Sequence, residues 1–204
     1  MSEKDKTKPR VFIIESLDFE DEKNKHFEGE IISKILNFSG IECKYNYIRT
    51  KAEFEHFIQV FQNSNYRYLH ISCHGNTKCL ATTLEQIPFP ELGVILQPVL
   101  DKKRLFISAC SATNDKLADE IFPTTECYSL IGPSTKPNMN DAAIFWASFY
   151  HLMFNHNSKA MKKESLQPII EMLSMVHNIP IKYYTASRAN RNGKGWAVVP
   201  LNIK

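Results

Sequence analysis

The chain has 204 residues, of which 43% are hydrophobic and 23% are charged, and its formal net charge is +3. This length and composition are typical of one globular domain and leave little room for a second. A small positive charge spread along the chain excludes the dense basic surface of a nucleic-acid-binding protein. The longest apolar stretch, 142–154, is too short to cross a bilayer, so neither nucleic acid nor membrane is expected as a partner.

Cysteine usage indicates the compartment. Five cysteines stand at positions 43, 73, 79, 110 and 127, an odd number with irregular spacing, and the chain does not begin with a secretory signal pattern. Both features predict reduced thiols and a cytoplasmic location. Residues 1–9 are rich in lysine and are predicted to be a disordered tail, and residues 10–204 are predicted to form a single domain.

The first half of the chain alternates strand-like and helix-like segments. Buried strands are predicted at 10–16, 42–48 and within 66–76. An acidic loop at 17–22 and a helix from about 22 to 38 follow the first strand, and Thr50 is expected to cap the helix before the third. This β-α-β-α-β order predicts a parallel sheet with right-handed crossovers.

The second half of the chain also contains strand-like and helix-like segments, but they alternate less regularly. Residues 76–98 are predicted to be irregular, with a hairpin at 79–89 and prolines at 88, 90 and 98. The later helices are predicted at 114–122, 138–156 and about 164–177. The later strands are predicted at 103–110, 126–134, 181–187 and 194–200. The last two strands should form a hairpin whose turn, NRNGKG, carries an Asn-Gly signal.

Two of the predicted strands end in side chains that can do chemistry, His74 followed by Gly75 in one and Cys110 in the other. If the strands are parallel neighbours, both side chains emerge at the same edge of the sheet. The thiolate of a cysteine is its nucleophilic form, and an imidazole can take the thiol proton and later return it to a leaving amine. The backbone N–H groups of Gly75 and Cys110 could then hold the oxyanion.

These stretches carry a family resemblance. HISCHG at 70–75 and LFISACS at 105–111 resemble the caspase-like cysteine peptidases of the CHAT type. The stretch SLIGPSTKPNMNDAAIFWASFYHLM at 129–153 is similar to the same family's strand, polar loop and aromatic helix. Caspases proper carry Q-A-C-[RQG]-G, and Ser108-Ala109-Cys110-Ser111-Ala112 departs from that pattern on both sides of the cysteine. Cleavage after aspartate is therefore not implied.

The resemblance implies a fold and an activity. The fold is a three-layer α/β sandwich with a central, mostly parallel, six-stranded sheet, helices on both faces and a C-terminal hairpin. The activity is that of a cysteine endopeptidase that needs no cofactor and no metal and acts on protein or peptide substrates. His74 is the implied general base and Cys110 the nucleophile. The family's histidine is commonly oriented by the backbone, so no third side chain is nominated.

The resemblance also locates the walls of a substrate pocket and implies a biological setting. The substrate-binding residues implied are Glu15, Asp18, Ser111, Asp115 and Ser134. Because three of these are acids, we predict a preference for a basic residue before the cut. Bacterial CHAT-type relatives often act in defence or cell-death modules and are activated by a partner protein, so an antiviral effector role and an activating partner are implied here.

Several local alternatives compete with these assignments. His70 lies on the same strand face as His74 and is predicted to be a buried, hydrogen-bonded structural residue. Cys73 points to the opposite face and is predicted to belong to the core. Cys73, His74 and Cys79 lack the paired ligand spacing of zinc sites, and the acidic loop 18–22 lacks an EF-hand pattern, so a solvated loop is favoured over calcium.

Two functional alternatives also stay open. The same fold could serve as a non-catalytic protein-interaction module, although the presence of both His74 and Cys110 argues against this. The chain could also be a thiol-dependent enzyme of another class, such as an acyltransferase, or a redox sensor that uses Cys73 and Cys110. Labelling by an electrophilic peptide and oxidation of the thiols would separate these readings.

Overall fold

The computed structural model describes residues 7–187 and 195–203. Within these residues, the strands are β1 (Lys8–Glu15), β2 (Cys43–Tyr47), β3 (Tyr66–Ser72), β4 (His74–Gly75), β5 (Cys79–Ala81), β6 (Gln86–Pro88), β7 (Arg104–Ser108), β8 (Ser129–Pro133), β9 (Ile181–Ala186) and β10 (Trp196–Val198). The α-helices are α1 (Phe19–Lys23), α2 (Glu28–Phe38), α3 (Lys51–Ser64), α4 (Phe89–Leu96), α5 (Asp115–Ile121), α6 (Met139–His156) and α7 (Lys163–His177).

A seven-stranded sheet forms the centre of the described structure, with the order β10-β9-β8-β7-β3-β1-β2. The strands from β2 to β8 in this order pair in parallel, whereas β9 and β10 are antiparallel additions at one side. We predicted six strands, and the sheet has seven because both strands of the C-terminal hairpin extend it beyond β8. A separate three-stranded sheet, β4-β5-β6, follows the end of β3.

Helices cover both faces of the central sheet, and the side chains of β1 show how the two cores divide. Phe12 and Ile14 belong to the core beneath α3, α4 and α5, whereas Val11 and Ile13 belong to the core beneath α2, α6 and α7. Successive residues of a strand point to opposite faces, so a continuous apolar run is required when both faces are covered. This arrangement confirms the predicted mostly parallel α/β sandwich.

Most predicted elements are present with boundaries shifted by a few residues. Thr50 caps α3 in a reciprocal capping box with Glu53, as its sequence position predicts. The predicted hairpin within 79–89 is formed by β5 and β6. The segment 89–96, which we expected to be irregular, is helix α4. Its prolines fall at and just before the first turn, where a missing N–H costs no helical hydrogen bond.

The largest local difference lies between β1 and α2. We predicted an acidic loop at 17–22 running into one helix from about residue 22. The structure instead has the separate short helix α1, and α2 begins only at Glu28. Lys25 has a left-handed backbone with φ of 60°, which ends one helical path before the next begins.

Some predictions concern residues outside the described ranges. Residues 1–6 of the predicted disordered tail lie outside them, and Lys8 and Pro9 already belong to β1. The NRNGKG turn also lies outside them except for Gly195. The division into a tail and one domain stays a prediction. Among the helices that the structure describes, none combines the length and apolarity needed to cross a membrane.

Candidate active site

The strands that precede His74 and Cys110 are parallel neighbours in the central sheet. Ser72 of β3 pairs in register with Ser108 of β7, and the Cys73 N–H donates to the Ser108 carbonyl at 3.1 Å. His74 and Cys110 therefore each follow two residues after a register pair, at the carboxyl edge of the sheet. The predicted side-by-side arrangement of these two strands is confirmed.

His74 and Cys110 line one cleft with a volume of about 230 Å³. Its walls are formed by residues that follow four adjacent parallel strands and by the first turns of two helices. They include Leu17 and Asp21 after β1, Cys73 and His74 after β3, Ala109 and Cys110 after β7, Lys136 and Pro137 after β8, Glu28 of α2 and Met139 of α6. Open α/β sheets place ligand sites at this edge because the loops from neighbouring strands converge there.

The His74 imidazole contacts carboxylates of the segment after β1. Its Nε2 lies 2.7 Å from Asp21 Oδ2 and 3.4 Å from Asp18 Oδ2. Burial alone would raise the pKa of Asp21, but its hydrogen bonds with His26 and His74 outweigh burial and hold that pKa below its usual value. An ionised Asp21 accepts a hydrogen bond from Nε2–H, so in the neutral imidazole Nδ1 is left as the basic nitrogen.

Helix α1 holds Asp21 in place through a short set of polar contacts. Asp18 caps the helix by accepting the Asp21 backbone N–H at 2.8 Å. The next residue, Glu22, receives two hydrogen bonds from the Arg49 guanidinium, at 2.8 and 2.6 Å, and one from the Tyr47 hydroxyl. The acidic segment is thus a short helix and not the solvated loop that we predicted, because its side chains find partners on β2, on Arg49 just after β2, and on His74.

A side chain, and not only the backbone, orients the His74 imidazole. We nominated no third side chain because the family resemblance implied orientation by the backbone. In the structure, the carboxylate of Asp21 makes the close contact to Nε2. The sequence carries one usable signal for it, since the segments that follow β1 and β3 must meet if these strands are neighbours. The sequence does not specify which of the acids at 18–22 reaches the imidazole.

Cys110 is half-buried at the start of the turn that follows β7. Burial raises the pKa of its thiol, and the nearby Lys136 ammonium offsets only part of that effect. The resting thiol is therefore protonated at neutral pH and needs a base to become a nucleophile. Its side chain is not hydrogen bonded to His74. The following residue, Ser111, has a left-handed backbone with φ of 56°, and its N–H donates to the Thr135 carbonyl at 3.1 Å.

Gly75 allows the histidine segment to pack closely against the cysteine turn. A Cβ at this position would lie 3.1 Å from Ala109 Cβ, 3.2 Å from the Cys79 carbonyl oxygen and 3.4 Å from Ala112 Cβ. The glycine thus permits a close approach between the segments that carry the imidazole and the thiol. The oxyanion-binding role of the Gly75 and Cys110 N–H groups stays a prediction.

Glu15, one of the predicted substrate-binding residues, has another task in the structure. Its side chain is fully buried and accepts the backbone N–H groups of Gly29 and Glu30, at 2.7 and 3.3 Å, and the Tyr45 hydroxyl at 2.7 Å. It thereby satisfies donors at the start of α2 that have no partner within the helix. Burial raises the pKa of Glu15 to about 7 despite these hydrogen bonds. Glu15 does not line the cleft.

The other predicted pocket residues are dispersed around the sheet edge. Asp115 accepts the Tyr184 hydroxyl at 2.7 Å, and Ser134 donates its N–H to the Pro180 carbonyl at 2.9 Å. Neither these two residues nor Ser111 is among those that line the cleft. Asp18 alone of the five lies beside the candidate base. Sequence position brought these residues to the correct edge, but the direction of each side chain depends on its own partners.

His70, the other histidine of the HISCHG motif, contacts Tyr150 and Glu28. His70 is fully buried, and its Nδ1 lies 3.0 Å from the Tyr150 hydroxyl, which confirms the predicted buried, hydrogen-bonded role. Its Nε2 lies 3.5 Å from Oε1 of Glu28, a buried acid that sequence reasoning did not identify. The other carboxylate oxygen of Glu28 accepts the Ser108 hydroxyl at 3.0 Å. An acid in the first turn of a helix is so common that the sequence gives no sign of this role.

Metal-ligating atoms also meet at this edge. One oxygen each of Asp18 and Asp21 and one nitrogen of His74 lie within 4.8 Å of one another, so these residues could hold a metal ion. The set would suit a cation that accepts both oxygen and imidazole ligands. Of the zinc ligands weighed from the sequence, the Cys79 sulfur instead accepts the Asn76 amide at 3.2 Å.

A larger groove of about 770 Å³ lies on the outer surface, between α2, α6 and α7. Apolar side chains such as Ile31, Ile144 and Val176 dominate it, and the described residues that line it include neither a cysteine nor an acid. Its polar lining residues include His151, His177 and Ser148, but among the described residues the groove offers no thiol nucleophile beside an imidazole. The smaller cleft at the sheet edge is the candidate active site.

Comparison with known proteins supports the fold. The structure is similar to the crystal structure of caspase-1 from Spodoptera frugiperda, with a TM-score of 0.55 and 14% sequence identity over 95% of this chain and 85% of that chain. The chain therefore has a caspase-like fold. No protein-family model and no curated protein matches the sequence.

Proposed function

We propose that the protein is a cysteine endopeptidase of the caspase-like, CHAT-related group, with His74 and Cys110 as its catalytic dyad. The observation that carries this proposal is the position of the two side chains. They follow register-paired residues on adjacent parallel strands and line the same cleft. A thiol nucleophile and an imidazole base on rigid strand ends form the smallest set of groups that acyl transfer from a peptide requires.

Acylation begins with proton transfer from the Cys110 thiol to the free nitrogen of His74. The sulfur then attacks the scissile carbonyl carbon, and the carbonyl electrons move to the oxygen. The N–H groups of Gly75 and Cys110 hold the resulting oxyanion. Collapse of this intermediate breaks the C–N bond, and His74 protonates the departing amine to leave a thioester on Cys110.

Deacylation reverses the roles. His74 takes a proton from water, the hydroxide attacks the thioester carbonyl, and the Cys110 thiol is released together with a new carboxylate terminus. Asp21 positions His74 in both steps, since its carboxylate accepts Nε2–H and stabilises the imidazolium that forms. None of these steps needs a cofactor.

The narrower assignment and the biological role rest on the sequence resemblance. HISCHG, LFISACS and the aromatic helix after 138 support the CHAT-related group. Membership of that group supports a role as an effector in a bacterial defence or cell-death module, a cytoplasmic location and activation by a partner protein. The substrate is a protein segment that lies extended in the cleft.

The proposal is tested by covalent labelling. The purified protein is incubated with a panel of peptide acyloxymethyl ketones that differ at the residue before the reactive carbon. We expect a stoichiometric adduct on Cys110, located by mass spectrometry of tryptic peptides. Cys110→Ala should abolish the adduct, whereas the matched variant Cys43→Ala, which removes a cysteine outside the cleft, should keep it.

A second measurement reads the reaction itself. A protein lysate is incubated with the wild type or with Cys110→Ala, and new protein N-termini are compared. Neo-N-termini that depend on Cys110 would support the peptidase. Absence of both the adduct and the neo-N-termini would favour the non-catalytic interaction module. A disulfide between Cys73 and Cys110 in oxidised protein, without peptide cleavage, would favour redox sensing.

A further inference from the structure

The cleft contains a buried carboxylate with one oxygen that has no hydrogen-bond donor. The Glu28 side chain is 9% exposed and lines the same cleft as His74 and Cys110. Its Oε2 accepts the Ser108 hydroxyl at 3.0 Å, but its Oε1 has no hydrogen-bond partner. A buried carboxylate oxygen without a donor costs free energy, so such a group in a cleft indicates a site for a donor from outside.

The Glu28 carboxylate also lacks a cationic partner. Among the described residues, no Lys or Arg nitrogen lies within 4.0 Å of its carboxylate. The titratable nitrogen that faces it is His70 Nε2, which lies 3.5 Å from Glu28 Oε1 and also lacks a hydrogen-bond partner. The carboxyl group of Glu15 lies close enough for the charge of Glu28 to raise its pKa further. Glu28 therefore lies in the cleft wall near a second buried acid, Glu15, which is outside the cleft and has its own donors.

We propose, resting on the peptidase function above, that Glu28 is the specificity-determining residue of the cleft and selects substrates with a Lys or Arg side chain before the scissile bond. The substrate's ammonium or guanidinium group donates to Glu28 Oε1 and supplies the missing positive charge. A charged donor paired with a buried carboxylate forms a short, strong hydrogen bond. The substrate class follows from Glu28 and not from the acids that the sequence suggested.

The other charges that line the cleft fit this assignment. Both oxygens of Asp21 are already engaged by hydrogen bonds with His26 and His74. Lys136 could instead attract an acidic substrate side chain. The Lys136 ammonium lies near the Cys110 thiol, where its charge offsets part of the rise that burial causes in the thiol pKa. An acidic side chain placed against Glu28 would bring two carboxylates together in a buried site, which is strongly unfavourable.

The test compares four peptide amides that differ only at the residue before the cut, Arg, Lys, norleucine or Asp. For the wild type we expect kcat/KM for Arg and Lys to exceed that for norleucine by roughly 100-fold, the scale of a buried charge pair. Glu28→Gln should remove most of this preference, because kcat/KM for the Arg and Lys peptides should fall toward the value for the norleucine peptide. Glu30→Gln is the matched control, because it makes the same change on the same helix at a residue paired with Lys34 on the surface.

A structural role for Glu28 predicts a different result. If Glu28→Gln lowered kcat/KM equally for all four peptides, the residue would support the site without selecting the substrate, and the proposal would be wrong. Best cleavage of the Asp peptide by the wild type would also overturn it. Thermal unfolding and the rate of Cys110 alkylation by iodoacetamide show whether the variant keeps its fold and an accessible thiol.

A binding measurement separates this inference from the peptidase proposal. N-acetyl-arginine methylamide and N-acetyl-norleucine methylamide are titrated into Cys110→Ala by calorimetry or NMR. Tighter binding of the arginine compound, lost in Cys110→Ala/Glu28→Gln, supports the basic subsite even if no peptide is hydrolysed. Equal binding of the two compounds, or cleavage of neutral peptides without a basic preference, refutes the subsite and leaves the peptidase proposal in place.

Discussion

Ser72 and Ser108 are register partners on the adjacent parallel strands β3 and β7, and the candidate base and nucleophile each follow two residues later. The relative position of His74 and Cys110 is therefore set first by the hydrogen bonds of the central sheet. A site built on strand ends is held more accurately than one built on long loops. The short sheet β4-β5-β6 then fixes the histidine segment, since His74 and Gly75 pair with Ala81 and Leu80 of β5.

The first prediction concerns Asp21, whose carboxylate lies 2.7 Å from His74 Nε2. Asp21→Asn keeps the shape of the side chain but removes the charge that stabilises the imidazolium and selects the tautomer. We expect kcat to fall by roughly 10²- to 10⁴-fold with little change in KM. The measurement is steady-state kinetics on a peptide substrate, together with the pH dependence of kcat.

The control for Asp21→Asn is Glu20→Gln, an equivalent change on the same short helix at an exposed residue that contacts Asn24. Its kcat should stay within a factor of about two, as is usual for surface changes away from a site. Equal losses in the two variants would mean that α1 acts only as a structural support. Retention of full kcat in Asp21→Asn would show that the negative charge of Asp21 is not needed for the action of His74.

The second prediction concerns the close packing at Gly75. In Gly75→Ala, the new methyl group would lie 3.1 Å from Ala109 Cβ, so the histidine segment and the cysteine turn must separate. We expect a loss of stability of about 1–3 kcal/mol from overpacking and a fall in kcat of at least tenfold. Chemical denaturation and peptide hydrolysis measure these effects. A variant with lowered stability but normal kcat would show that the contact does not control the dyad.

The third prediction concerns the pH dependence of stability at Glu15, whose pKa is about 7 in the folded protein against a reference value of 4.5. A pKa raised by folding stabilises the protein below pH 4.5, and this contribution is lost as the pH rises through 7. The difference corresponds to about 3 kcal/mol. Glu15→Gln does not titrate, so its stability relative to the wild type should improve by up to this amount between pH 4.5 and 8.

Urea unfolding of the wild type and Glu15→Gln at several pH values measures this difference directly. The comparison cancels other carboxylates whose pKa values are lowered, such as Glu22 and Glu42, which act in the opposite direction at lower pH. A stability difference that did not change between pH 4.5 and 8 would mean that Glu15 does not titrate in this range.

The fourth prediction concerns the order in which cysteines react. Burial raises the pKa of both Cys73 and Cys127 to about 12, so at pH 8 only about one thiol in 10⁴ is ionised at each. Cys110 is half-buried and lies beside the Lys136 charge. We expect iodoacetamide to modify Cys110 well before Cys73 and Cys127 in the folded protein, as measured by time-resolved peptide mass spectrometry. Faster modification of Cys73 or Cys127 would contradict this order.

The sequence predicted features that depend on local patterns. The apolar runs at 10–16 and 103–110 predicted buried strands, and Thr50 predicted the start of α3, because side-chain periodicity and helix capping act over a few residues. The alternation of strands and helices then predicted the parallel sheet and brought His74 and Cys110 to one edge. The sequence did not predict the start of α2 or the presence of α4. The sequence around Lys25 is compatible with a continuous helix as well as with a turn, and prolines occur in loops as well as in the first turn of a helix.

The sequence by itself determined that His74 and Cys110 each follow a buried strand and that an imidazole and a thiol are available for chemistry. Only the tertiary structure decided that Asp21 contacts the imidazole, that Glu15 serves the start of α2, and that Glu28 lines the cleft with an unpartnered oxygen. These three acids look alike in sequence. Their different surroundings arise from partners that are distant in the chain, and the hydrogen bonds and burial at each site set the charge and direction of each carboxylate.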